Sequence, residues 1–249
     1  MSHLCSTLLM PLIGGIVRQR FLLFGLGTAL LIACNGSSTS DGVIPPPGIR
    51  ATIPADFPEA EARVLRALAF SSEDLPPGFE LQYEDAFREG SILSYVAHYF
   101  NTDLDQQDLL SGGLATADVV VAIFEDISEA ERLFSLVSSM NEEELIEYSQ
   151  QWQHWPADPE LASLLEQVNV AARRISVGDV AAPSGGWLTI ETVRERQSGD
   201  EVIFFDLSIL VHRGRIVAIV ALGSTQQEPA EADVVRLANE IAARISVLP

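Results

Sequence analysis

Three histidines, His98, His154 and His212, follow Cys34, and imidazole is the side chain best suited to move a proton or hold a metal near neutral pH. Their surroundings ask for neither. No His-Glu-x-x-His pair and no Cys–His cluster occurs, so the chain offers no zinc ligand set. His98 alternates in a strand-like run beside Tyr99 and Phe100 and reads as a satisfied or surface histidine. His212 adjoins Arg213 at a turn and reads as solvent-exposed. Serine hydrolysis wants its nucleophile on a sharp strand-to-helix turn, and Gly-x-Ser-x-Gly is absent. Ser184-Gly185-Gly186 reads as a loop whose amides could hold an anion, with an ordinary turn as the plainer reading. Asp103, Asp105 and Asp108 lack the glycine and closing glutamate that an EF-hand calcium loop places around such a run. Carboxylates are too abundant, at 35, for any pair to mark a glycosidase. The expectation is therefore no catalytic residue, no metal and no cofactor. One aromatic constellation remains, Trp152-Gln153-His154-Trp155-Pro156. Trp152, His154 and Trp155 can line a groove that stacks on a flat ligand, or the two indoles can plug the adjoining core.

Cys34 carries a different chemistry. Arg18 and Arg20 precede an apolar run from Phe21 to Cys34, which is too short to span a hydrocarbon layer of about 30 Å and has the build of a secretory leader. Leu31-Ile32-Ala33-Cys34 resembles the lipobox of bacterial lipoproteins. The resemblance implies cleavage before Cys34, a diacylglyceryl thioether on its sulfur and acylation of the new amino terminus. Residues 1–33 are then a signal peptide, with Met10 as an alternative start. The other cysteine, Cys5, lies in that leader, so the mature chain has no thiol pair to form a disulfide. One acyl chain binds a membrane only marginally, whereas two or three hold a protein there durably. Asn35 leaves inner and outer membranes both open.

Residues 34–54 read as a tether, with Gly36-Ser37-Ser38-Thr39-Ser40 flexible and Pro45-Pro46-Pro47-Gly48 stiffer. The formal charge is −20 for the whole chain, and loss of Arg18 and Arg20 with the leader makes it −22. Such a surface repels nucleic acid and anionic lipid. All 15 basic residues are arginine.

Residues 55–249 are expected to form a single globular domain. Helical spacing places Ala62, Leu65, Leu68 and Ala69 on one face of a helix over 58–70, with Asp56 as its cap. Strands follow at 79–87, 92–100 and 118–124, with the first turn at Arg88-Glu89-Gly90-Ser91. Ser128-Glu129-Ala130-Glu131 reads as a capping box. It opens a helix that buries Ala130, Leu133, Phe134, Val137 and Met140. Acidic helices over 142–152 and 159–168 read as an insertion. Three more strands at 187–196, 201–212 and 215–223 precede a helix over 229–245 with the stripe Val234, Leu237, Ala238, Ile241, Ala242 and Ile245. A turn at Arg213-Gly214 would pair Val211 with Ile216, Ile209 with Ala218, Leu207 with Val220 and Phe205 with Leu222, an apolar face throughout. The fold class is α+β: an antiparallel sheet of about six strands with helices on one face, read as two β-β-β-α halves around a helical insertion.

From Val177-Gly178-Asp179 through Val211-His212-Arg213-Gly214-Arg215-Ile216-Val217 to the last helix, the chain is similar to extracellular domains of uncharacterised bacterial lipoproteins. It is more loosely similar to sensor domains of actinobacterial membrane serine/threonine kinases. The resemblance implies a binding or sensing module without naming its ligand. The functional expectation is an envelope lipoprotein on the extracytoplasmic side, membrane-held through Cys34, that binds an unknown small molecule or envelope protein without catalysis. A carrier of an apolar molecule between sheet and helices is one form of it. Alternatives are an assembly subunit of an envelope complex and, further off, an envelope hydrolase using His98, His154 or His212.

Overall fold

Near-continuous apolar strands need cover on both faces, and two of them, β3 (Leu114–Ile123) and β7 (Ile216–Thr225), pair at the centre of this fold. The computed structural model describes residue 53 and residues 57–104, 112–152, 165–196 and 198–246. Among these, one sheet of seven strands runs in the order β1-β2-β3-β7-β6-β5-β4, antiparallel at every pairing. The other strands are β1 (Phe79–Glu89), β2 (Ile92–Asn101), β4 (Leu165–Ile175), β5 (Ser184–Glu195) and β6 (Glu201–Arg213). Four α-helices accompany them: α1 (Glu59–Leu68), α2 (Ile127–Ser139), α3 (Glu142–Trp152) and α4 (Glu231–Ser246). The fold is α+β with seven strands where about six were expected. The additional strand is β4, which begins within the stretch read as a helix over 159–168. Its Val170 and Ile175 are β-branched and pair with Glu191 and Gly186 of β5, while Val168 falls at a register shift, in a polar edge strand.

The expectation of helices on one face fails. α1 and α4 cover one face, where Leu65, Leu68 and the six-residue stripe of α4 pack on Ala97, Ala117, Val119, Ile209, Ala218 and Val220. Ala130, Leu133 and Val137 of α2 and Leu145 of α3 pack on the opposite face against Val96, Val120, Leu210, Val217 and Ile219. β6 and β7 therefore lie between α2 and α4. Helices that follow β3 and β7 on opposite faces also rule out two symmetric β-β-β-α halves, because a two-fold axis between antiparallel neighbours would put both helices on one face.

The β6–β7 hairpin turns through Gly214-Arg215, with Gly214 at φ 58°, and pairs Arg213 with Ile216, Val211 with Ala218, Ile209 with Val220 and Leu207 with Leu222. The register differs by two from the expected one. A shift of two keeps every side chain on its face, so the apolar set stays together. That face is packed core under α4, and it gives a carrier of apolar cargo no room there.

Local signals explain the helix ends. The cap of α2 is Asp126, whose Oδ1 accepts from the Ser128 amide at 2.8 Å, and not Ser128 itself. α3 has the reciprocal box instead: Asn141 Oδ1 accepts from the Glu144 amide at 3.0 Å, and Glu144 Oε2 from the Asn141 amide at 2.7 Å. Between them Arg174 of β4 donates to the Val137 carbonyl at 2.5 Å, which also accepts from the Met140 amide at 3.4 Å, and to the Met140 carbonyl at 2.7 and 3.0 Å. Pro58 precedes α1 without a side-chain cap, and Asp56 lies outside the described residues.

Candidate functional site

Strand alternation sends Ser94, Val96, His98 and Phe100 of β2 to the face that α2 and α3 cover, together with Thr116, Asp118, Val120 and Ala122 of β3. The same face receives Asp206, Ser208 and Leu210 from β6 and Trp187, Thr189 and Glu191 from β5. β3 runs from Ala122 and Val120 beneath α2 to Asp118 and Thr116, and β6 from Leu210 to Ser208 and Asp206, whereas β2 carries Ser94 at the α2 end and Phe100 at the other. The polar groups form a double row on two adjacent levels of the sheet, with His98, Asp118 and Ser208 on one and Thr116, Asp206 and Thr189 on the next. All of it is buried: Asp118 is 2% exposed, His98 4%, Asp206 7%, Thr116 1% and Glu191 2%.

Within the row, His98 Nδ1 and Asp118 Oδ1 are 2.6 Å apart. A proton on that line leaves Nε2 of the neutral ring with a lone pair. His98 Nε2, Asp118 Oδ2 and Thr116 Oγ1 have no hydrogen-bond partner. Such atoms are exceptional in folded proteins, because each costs about 1–3 kcal/mol to bury. Across the sheet, the Ser208 hydroxyl donates to Asp206 Oδ1 at 2.8 Å, and Gln167 Nε2 donates to Glu191 Oε1 at 2.6 Å. Burial holds the Asp118 carboxyl above the usual carboxylate range, with His98 opposing it. Burial and then the nearby Asp118 charge push Asp206 up to about 7. At the β1 margin, burial likewise raises Asp85, which accepts from the Tyr83 hydroxyl at 3.2 Å.

The opposite face holds a polar cluster of the ordinary structural kind. Arg66 grips Glu84 through Nε at 3.0 Å and Nη2 at 2.6 Å, and the Tyr95 hydroxyl donates to the same carboxylate at 3.0 Å. There the acid is matched by a guanidinium; in the His98 row no arginine meets Asp118 or Asp206.

His98, read in the sequence as satisfied or surface, is buried and half-satisfied. His212, read as solvent-exposed, is 9% exposed; it stacks on Phe134 with ring centroids 5.1 Å apart, and its Nε2 donates to the Gly214 carbonyl at 3.0 Å. Ser184-Gly185-Gly186 is not a loop but the start of β5, paired with Val211, Leu210 and Ile209. Its glycines make space: a Cβ on Gly186 would sit 2.5 Å from Ile175 Cγ1, and one on Gly185 3.2 Å from Ser138 Oγ of α2. Trp152 ends α3, while its side chain, His154 and Trp155 lie outside the described residues, as do Cys34, Asp105 and Asp108. Among the described residues no group of three or more His, Cys, Asp or Glu is placed to hold a metal ion, and no helix is long and apolar enough to cross a membrane.

Sequence reasoning missed Asp118, Asp206 and Glu191 as a group. The signal was there in Thr-Ala-Asp-Val-Val-Val, Phe-Phe-Asp-Leu-Ser and Thr-Ile-Glu, acids set in strands otherwise fit for burial.

No protein-family model matches the chain, and no curated protein matches its sequence. Among solved structures it is similar to the crystal structure of the extracellular domain of PknH from Mycobacterium tuberculosis, at 10% identity and a TM-score of 0.42, over 76% of this chain and 97% of that one. At that TM-score the likeness carries no argument about function.

Proposed function

We propose that this chain is an extracytoplasmic binding module, held to a membrane by lipid on Cys34, that takes a small polar ligand at the His98–Asp118–Asp206 row without chemical turnover. One observation carries the reading: His98 Nε2 and Asp118 Oδ2 are buried without partners on side chains under a tenth exposed. Nothing in the packing of the core needs them, since the apolar half of the same face already anchors α2 and α3. The lipobox at 31–34 and the tether at 34–54 support the anchored location.

The test is native mass spectrometry of the full-length chain, extracted in detergent from its own host, against the variant His98→Leu/Asp118→Leu. A mass that leaves on denaturation and is missing from the folded variant supports the reading. An adduct that the variant retains, or a wild-type chain without one, overturns it.

A second reading is favoured by the 2.6 Å His98–Asp118 contact, the arrangement in which a carboxylate orients a general base. Among the described residues no hydroxyl or thiol bonds Nε2, so binding is the reading preferred over an envelope hydrolase.

A further inference from the structure

Asp206 sits close to one end of the sheet. Thr116, Gly223, Asp206 and Thr189 share its level, just inside the start of β3 at Leu114 and the end of β7 at Thr225. Two backbone features loosen this end. β3 shifts register against β7 between Leu114 and Thr116, which interrupts the ladder there. Gln226, the first residue past β7, has a φ of 62°, a left-handed conformation that disfavours a side chain, and its amide still donates to the Ile203 carbonyl of β6 at 2.8 Å. The last contacts between β7 and β6 are therefore made under strain.

Asp206 adds a charge problem to the same place. A buried carboxyl without a cation keeps its proton, and the partner of Asp206 is the neutral Ser208 hydroxyl. β7 brings no ionisable group beside it, and β5 brings Thr189 and, one level on, Glu191, which Gln167 of β4 holds. Beyond β7, β3 and β2 bring Asp118 and His98, already paired with each other, and β1 brings Tyr83 and Asp85. α2 and α3 keep Glu131, Arg132, Glu142, Glu143 and Glu144 exposed. The closed sheet thus holds Asp206 as the neutral acid up to about pH 7. At 7% exposure against 2% for Asp118, it is the acid that solvent reaches first.

We propose that Asp206 is a proton-operated latch on this end of the sheet: the protonated acid keeps it zipped, and the strand ends at 114–116, 203–206 and 223–225 separate as the proton passes to solvent. No ligand takes part, so the latch stands apart from the binding reading above.

The direction follows from where the proton is held. In the separated form water solvates the carboxylate and its pKa returns to the ordinary 3.8, whereas the closed form holds the proton to about 7. Separation therefore releases a proton; it is suppressed in acid, grows as pH rises and is level above about pH 7. Strand ends are also where local opening needs the fewest broken contacts. The other end of β6 and β7 is joined through the Gly214-Arg215 turn, and Leu210, Val217 and Ile219 lie in the core under α2. That end stays shut and serves as the internal reference.

The experiment is hydrogen exchange read by mass spectrometry on the full-length chain in detergent at pH 6 and pH 8, each rate divided by the intrinsic rate at that pH. Peptides covering 203–206 and 223–225 are expected to lose about tenfold in protection between the two, with those of α4 and of residues 213–219 unchanged. Asp206→Asn, neutral at both values, is expected to abolish the difference; should that variant not fold, the wild-type comparison decides alone. Equal protection at pH 6 and pH 8 overturns the latch. So does an equal loss in α4, which is global unfolding, and so does a difference that persists in Asp206→Asn. A wild-type chain without any native adduct would remove the binding reading and leave the latch in place.

Discussion

His98 Nδ1 lies 2.6 Å from Asp118 Oδ1 across adjacent strands, and both side chains are buried to within a few per cent of full enclosure. Removing one member of such a pair strands the other, at a typical cost of about 3–5 kcal/mol, whereas replacing both by apolar groups is often neutral or stabilising. His98→Ala should therefore lower stability by about 3 kcal/mol, and His98→Leu/Asp118→Leu should equal or exceed the wild type in a urea melt. A double variant as weak as the single would mean that the row is needed for the fold.

Asp206 gives stability a pH signature. Its pKa is 3.8 in ordinary surroundings and is lifted to about 7 here, so the native chain keeps a proton that the unfolded chain releases. Stability relative to Asp206→Asn is then greatest below about pH 4, falls as pH rises towards about 7 and is level above it, by up to roughly 4 kcal/mol. Urea midpoints of both proteins across that window check it. A difference that does not change with pH defeats the assignment.

Gly186 is fixed by space and not by backbone angle. Val at this position would put carbon within 3 Å of Ile175 and Val177, and overpacking of that kind costs about 1–3 kcal/mol. Gly214→Ala should cost about 1 kcal/mol through its φ of 58° alone, with open space around the added carbon. Thermal melts should rank the first variant below the second.

Arg174 ties β4 to the corner between α2 and α3. Arg174→Gln removes donors from the carbonyls of Val137 and Met140, a loss of about 1–3 kcal/mol. Hydrogen exchange should quicken in the last turn of α2 and leave α4 unchanged; uniform acceleration would mean that the contact is merely one among many.

Cys34→Ala should abolish lipid attachment and leave the leader uncut at residue 33, read as an unprocessed chain without an acyl mass. A variant that stays membrane-bound with normal processing would sink the lipid anchor.

Much of this fold could be read from periodicity. The stripe of α4 is buried as the spacing demands, because an amphipathic helix has one way to bury its apolar side. The hairpin face of β6 and β7 survived a two-residue error in register for a similar reason. Which side of the sheet each helix takes was not legible: α2 and α4 both follow strands and both carry apolar stripes, and the local pattern is the same for either face. β4 was hidden because an edge strand of Glu, Gln, Asn and Arg lacks alternation strong enough to show. The site was hidden differently. Asp118 lies on β3 and Asp206 on β6, and only the pairing of β3 with β7 and β7 with β6 brings them to adjacent levels of one face.

That central pairing also sets the order of assembly. Val119 of β3 meets Val220 of β7 across some hundred residues of intervening chain. β1, β2 and β3 can form a meander as soon as they are made, but β3 then presents a bare apolar edge until the last strand arrives to cover it. Contacts so distant in sequence slow folding, and an uncovered edge of this composition invites pairing with another chain. A chain cut after β6 would keep that edge open for good, so the last 34 residues guard a strand near the middle of the sequence against aggregation.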